Sequence, residues 1–181
     1  MSLPYLLASL PYLHFDAPAP INAEAFVAAC RAQLSEKDAA MAEMLLYGHD
    51  DNTGREACAT FFEKETLIRN AIARCRSMRR GKDPELATKP ASTADVRINN
   101  AVDAAFQLAD PAARDTALER LRWDIAEEFS GVDPMMLQAL FGYAAKLRIC
   151  LRRTAMTQEA GAAIAKKIFN APLPEVTHES A

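Results

Sequence analysis

Glycine is scarce in this chain, with six residues in 181. Tight β-turns draw on glycine for positive φ, so hairpin-rich architectures are disfavoured. Histidine is scarcer still: there are three, and only His14 and His49 fall in the part expected to fold. That starves most acid–base schemes. The four cysteines, Cys30, Cys58, Cys75 and Cys150, contain no C-x-x-C pair, so the paired ligands of a structural zinc site are missing. The opening Met1-Ser2-Leu3-Pro4-Tyr5 lacks the charged region and long apolar core of a secretory signal, so the cysteines are expected as reduced, buried thiols. No apolar run approaches the roughly 20 residues that span a bilayer, which predicts no direct membrane insertion. Positive charge is not in excess. Lys plus Arg number 21 against 24 Asp plus Glu, a net charge of -3, which argues against a dedicated nucleic-acid binder. Glycine-rich phosphate loops and Ser-His-Asp or Cys-His arrangements are also absent.

What remains is an ordinary globular composition, 50% hydrophobic and 25% charged, long enough for one domain with a sizeable core. Alanine, the best helix former, is abundant. The expectation is a soluble, cytoplasmic, all-α protein.

The local signals support this. Residues 3–13 are apolar and broken by Pro4 and Pro11, and they are read as a short extended segment in which a strand and a helical turn are not distinguishable. Asp16-Ala17-Pro18-Ala19-Pro20 reads as a stiff connector. Asn22 can cap a helix over 23–34, and Ser35 with Asp38 a second over 36–47, which Gly48 ends. The longest helix is expected over 55–80, closed by Gly81, with Arg74, Arg76, Arg79 and Arg80 complementing the dipole at its end. Residues 82–92 read as a linker or long loop, after which Ser92 or Thr93 caps a helix over 94–108. Asp110-Pro111 and Asp133-Pro134 both look like an N-cap followed by proline in the first turn, opening helices to about Phe129 and Arg153. Thr157 caps a last helix over 158–170, ended by Pro172 and Pro174. The fold expected is about seven helices in an irregular bundle. It forms a single domain over 1–171, with a mobile tail over 172–181.

Few residues suggest chemistry. His49-Asp50-Asp51 lies in a polar loop but fails the calcium-loop pattern, because Phe61 stands where the closing glutamate belongs. Glu175 and His178 have di-iron ligand spacing but lie in the proline-flanked tail, without a second pair. Neither is assigned a metal, and no catalytic residue or cofactor is expected. Glu65 shares a helix face with Phe61, Ile68 and Ile72 and has Arg69 one turn on, which suggests a boundary salt bridge or a buried polar contact that fixes a partner or register. Lys146, Arg148, Arg152 and Arg153 form a basic helix end. That end either complements the dipole or docks on an acidic partner, with Arg148 and Arg152 on one face.

Three stretches carry a resemblance. The first is Tyr5-Leu6-Leu7-Ala8-Ser9-Leu10-Pro11 with the acid–proline segment after it. The second is Leu67-Ile68-Arg69-Asn70, leading through Ala73-Arg74 to Arg79-Arg80-Gly81. The third runs from Arg122-Trp123 through Glu127-Glu128 and Gly142-Tyr143-Ala144-Ala145-Lys146-Leu147-Arg148 to Arg152-Arg153 and Gly161. In this order they resemble a bacterial family of short helical proteins that occur in V/A-type ATPase operons. That family is similar in helical character to the noncatalytic component of those enzymes that seats the central shaft on the membrane rotor ring. The resemblance implies a noncatalytic accessory subunit or assembly factor, acting by helical protein–protein contacts with ATPase subunits and peripheral to the membrane through them. The chain is about half the length such a shaft-seating component needs, so it would hold part of that architecture. The alternative from another class is a small helical enzyme or ligand-binding protein, which a pocket of convergent ionisable groups would favour.

Overall fold

The computed structural model describes residues 3–48, 55–156, 161, 162 and 166. Among them the fold is all-α, with seven helices and no strand: α1 (Leu3–Ser9), α2 (Ala23–Gln33), α3 (Glu36–Tyr47), α4 (Ala59–Arg79), α5 (Val96–Gln107), α6 (Pro111–Ser130) and α7 (Leu137–Ala155). Helices α6 and α7 form the most extensive pair. α3 packs on α7, α5 on α6 and α4, and α2 on α3, while α4 reaches α6 and α1 sits on α2. Phe26, Ile68, Ile98, Val102, Leu140, Phe141 and Leu147 fill the core where these faces meet.

Local signals account for most boundaries. Asn22 accepts from the Ala25 N–H, Ser35 from Asp38, and Asp110 from Ala112 and Ala113 with Pro111 in the first turn. Gly48 ends α3 in the left-handed region at φ 69, where a side chain would be strained.

Elsewhere the structure corrects the reading. Residues 3–9 are helical rather than extended. Pro4 lies in the first turn, where its missing N–H costs nothing, and Leu6 is buried on the core. A 3-10 turn over Arg55–Cys58 precedes α4. The cap of α5 is Asp95, which accepts from Arg97 and Ile98, while the Ser92 and Thr93 hydroxyls donate to Glu63 instead. Asp133 accepts from Met135 in a turn, and α7 begins only at Leu137. The stretch read as a linker or long loop, 82–92, is a loop with one 3-10 turn at Glu85–Ala87 and is tied to α4: the buried Asn70 amide donates to the Lys89 carbonyl at 2.8 Å and accepts from the Lys89 N–H at 2.9 Å. Of the helix expected over 158–170, the described residues 161, 162 and 166 are helical. The 172–181 tail, the Glu175/His178 spacing and the His49-Asp50-Asp51 loop lie outside the described residues.

The segment after α1 is laid along α7. The Tyr143 hydroxyl donates to the Pro11 carbonyl at 2.9 Å, the Cys150 thiol to His14 at 3.6 Å, and the Ala19 N–H to the Thr154 hydroxyl at 3.0 Å. Phe15 is buried edge-on against Trp123, between the guanidinium groups of Arg120 and Arg153 at 4.1 and 4.2 Å. Close approach of α6 and α7 rests on Gly142, since a Cβ there would lie 2.0 Å from the Ser130 hydroxyl and 2.8 Å from the Ala126 carbonyl.

A charged cleft between three helices

Helices α4, α6 and α7 each turn one charged stripe toward the others. On α4 it is Glu65, Arg69 and Arg76; on α6, Asp115, Glu119 and Arg122; on α7, Arg148 and Arg152. Spacings of three, four and seven put each set on one helix face. Between them lies a cleft of about 300 Å³, with Phe61, Ile72, Leu118, Ala145 and Ile149 as its apolar wall.

Six of these groups form a line of alternating charge. Asp115 pairs with Arg152 at 2.9 Å, Arg152 with Glu119, Glu119 with Arg122 at 3.1 Å, Arg122 with Glu65 at 3.2 Å, and Glu65 with Arg69 at 3.7 Å. Glu65 and Glu119 are only 6% and 4% exposed. Two carboxylates this far from water persist because arginines neutralise and hydrogen-bond them. Burial alone would lower the Arg152 pKa, but Asp115 and Glu119 together raise it.

Arg148 and Arg76 stand outside the line, with no ion pair or side-chain hydrogen bond to any described residue. Arg76 is solvent-exposed. Arg148 is partly buried, its guanidinium lying against Gly48, where a Cβ would come within 2.3 Å of its central carbon. Burial pulls the Arg148 pKa below its ordinary value; Glu65 and Glu119 oppose this, and Arg122 and Arg69 add to it. The lining therefore carries five arginines against three carboxylates, in a chain whose net charge is -3.

A second depression shares Arg76, Asp115 and Leu118 with the cleft and continues the basic surface with Arg79, Arg80 and Arg114. Arg79 and Arg114 flank the Phe106 ring at 4.9 and 5.3 Å. Across both depressions eight arginines face three carboxylates.

The structure thus brings together four of the residues singled out from sequence, Glu65, Arg69, Arg148 and Arg152. It separates the other two. Lys146 pairs with Glu127 at 2.7 Å and lies over Trp123, and Arg153 lies over Phe15 beside Asp16. Sequence reasoning misses Arg122, Glu119, Asp115 and Arg76. Their signal is charge flanking the Leu118, Leu121, Ile125 stripe of α6 and in the last turns of α4.

The cleft lining contains no serine, cysteine, histidine, tyrosine or lysine. The four cysteines are free and buried elsewhere, and burial pushes the Cys30 and Cys58 thiols up to about 12, far from reactivity. No group of His, Cys, Asp and Glu among the described residues could hold a metal ion, and no helix among them is long and apolar enough to cross a membrane. The arrangement suits recognition of negative charge. No family model, curated protein or solved structure matches the chain.

Proposed function

We propose that this chain is a noncatalytic accessory subunit or assembly factor of a bacterial V/A-type ATPase that docks on an acidic surface of another subunit. The observation that carries the docking role is the arginine band over the two depressions, a concentrated positive surface on a protein of net negative charge. Its planar guanidinium groups meet carboxylates in bidentate fashion, which suits interface ion pairs. The partner comes from the resemblance to the ATPase-operon family.

Arg76 and Arg80 are the residues to test, because both are exposed and neither belongs to the buried line of charges. The double variant Arg76→Glu/Arg80→Glu should keep the wild-type melting temperature, since exposed charges contribute about 0–1 kcal/mol. It should capture ATPase subunits less well in a pull-down, and the salt dependence of capture should flatten. Equal capture by both proteins removes the band as the docking surface. Failure of the wild type to retain any V/A-type ATPase subunit removes the ATPase role.

A second reading, a ligand-binding protein, is favoured by one observation: ionisable groups converge on an open cleft and leave Arg148 without an ion pair among the described residues.

A further inference from the structure

We infer that the cleft between α4, α6 and α7 is a seat for a small organic phosphate, its phosphoryl oxygens held by Arg148 with Arg69 and Arg122 beside it. The inference deepens the ligand-binding reading and does not depend on the ATPase one.

The first argument is charge. The six-membered line from Asp115 to Arg69 is self-neutralising, so every carboxylate of the cleft is already engaged. Arg148 is a partly buried guanidinium that forms no ion pair with a described residue; Glu65 and Glu119 attract it from within the line while Arg122 and Arg69 repel it. Its guanidinium rests against Gly48 at the C-terminal end of α3, and an anion beside it would supply the close ion pair it lacks among the described residues. With Arg76 the lining has a surplus of two positive charges, which a dianionic phosphate monoester would neutralise.

The second argument is donors. The Arg148 N–H groups have no hydrogen-bond partner among the described residues, and Arg69 engages Glu65 through Nε alone, leaving both terminal nitrogens. Forked guanidinium donors suit the oxygens of a phosphoryl group.

The third is shape. A volume of about 300 Å³ exceeds what a bare phosphate needs and lies at the lower end of small-ligand cavities. The wall of Phe61, Ile72, Leu118 and Ile149 gives an organic portion apolar contact beside the arginines.

Gly48 belongs to the device. It ends α3 at positive φ, and the Arg148 guanidinium occupies the space a side chain would fill. Nothing larger than hydrogen at position 48 leaves Arg148 where it is.

The test uses the isolated full chain, with thermal shift and calorimetric titration at constant ionic strength. Inorganic phosphate and phenyl phosphate are the probes and chloride is the control. Inorganic phosphate should raise the melting temperature beyond chloride, and phenyl phosphate should bind more tightly than phosphate. Arg148→Met should weaken both by about tenfold or more, the loss of charge-assisted hydrogen bonds. It should leave the melting temperature of the ligand-free protein unchanged or higher, because the charge it removes has no partner in the cleft. Arg31→Met, an exposed arginine paired with Glu43, should bind as wild type.

Several results would overturn the inference. Neither probe exceeding chloride does so, as does unchanged binding by Arg148→Met. Equal weakening by Arg31→Met would show nonspecific charge screening. A ligand-free Arg148→Met that melts well below wild type would make Arg148 a structural residue. Phenyl phosphate no tighter than phosphate would overturn the organic assignment. ATPase capture plays no part in these readouts, so failure of that role leaves the result intact.

Discussion

Replacing Arg122 with methionine removes the central cation of the cleft while keeping the bulk of its stem. Arg122 bridges Glu65 at 3.2 Å and Glu119 at 3.1 Å, and both carboxylates are almost fully buried. Without it Glu119 keeps Arg152, but Glu65 keeps only Arg69, at 3.7 Å and with a side chain 46% exposed. One buried carboxylate thus loses its close partner, a change that costs about 3–5 kcal/mol. A chain of this size loses about 2–4 °C of melting temperature per kcal/mol, so the effect is large on a total stability of about 5–15 kcal/mol. Urea unfolding followed by circular dichroism at neutral pH measures it. The second step is Glu65→Gln in the same background. If Glu65 is the stranded charge, the double variant should recover part of the loss, with a coupling energy of about 0.5–3 kcal/mol. A loss below about 1 kcal/mol for Arg122→Met would place the pair in the class of surface salt bridges and refute the buried line of charges. Strict additivity of the two substitutions would refute the assignment of the cost to Glu65.

Gly142→Ala should destabilise by about 1–3 kcal/mol, despite a gain of about 1 kcal/mol in helix propensity. The Ser130 hydroxyl can rotate away from the new Cβ but the Ala126 carbonyl cannot, so a thermal melt at or above wild type would show that α6 and α7 do not approach so closely. At Asp95, the Lys64 ammonium holds the carboxyl below its ordinary range. A depressed folded-state pKa adds stability that is present above the unfolded value of about 3.9 and is lost as the pH falls through the folded one. Asp95→Ala, which also removes the α5 cap, should therefore cost about 1–2 kcal/mol near neutrality and progressively less in acid. A gap that stays constant as the pH falls through the acid range below the unfolded value would contradict the ionised pair, because the ion-pair share of the gap is lost as the wild-type carboxyl protonates.

What the sequence disclosed was what is decided locally. Asn22, Ser35, Gly48 and Asp110 cap helices through contacts within three or four residues, so their spacing alone reveals them. Asp95 was masked by Ser92 and Thr93, which are equally good caps in isolation but are claimed by Glu63 on α4, about thirty residues away. Asp133-Pro134 imitates Asp110-Pro111 but makes only a turn, with Asp133 accepting from Met135. The cleft divides in the same manner. Glu65 with Arg69, and Arg148 with Arg152, are i, i+4 pairs visible on one helix each. That the two pairs belong to one site depends on Glu119 and Arg122 of α6 lying between them, which only the packing of three helices decides. Lys146 and Arg153 shared the basic composition of Arg148 but point to other faces of α7, toward Glu127 and Asp16.

The strap after α1 also has a temporal meaning. Its hydrogen bonds join Pro11, His14 and Ala19 to residues of α7 that lie 132 to 136 positions later in the chain. At the usual 5–20 residues per second, synthesis of that intervening length takes on the order of ten seconds. Throughout that interval the strap has emerged and the helix that receives it does not yet exist. Leu13 and Phe15, buried in the finished protein, must wait in water or on a chaperone. Residues made well before α7 are therefore among the last to be locked, and the ends of the described fold close only once α7 is complete.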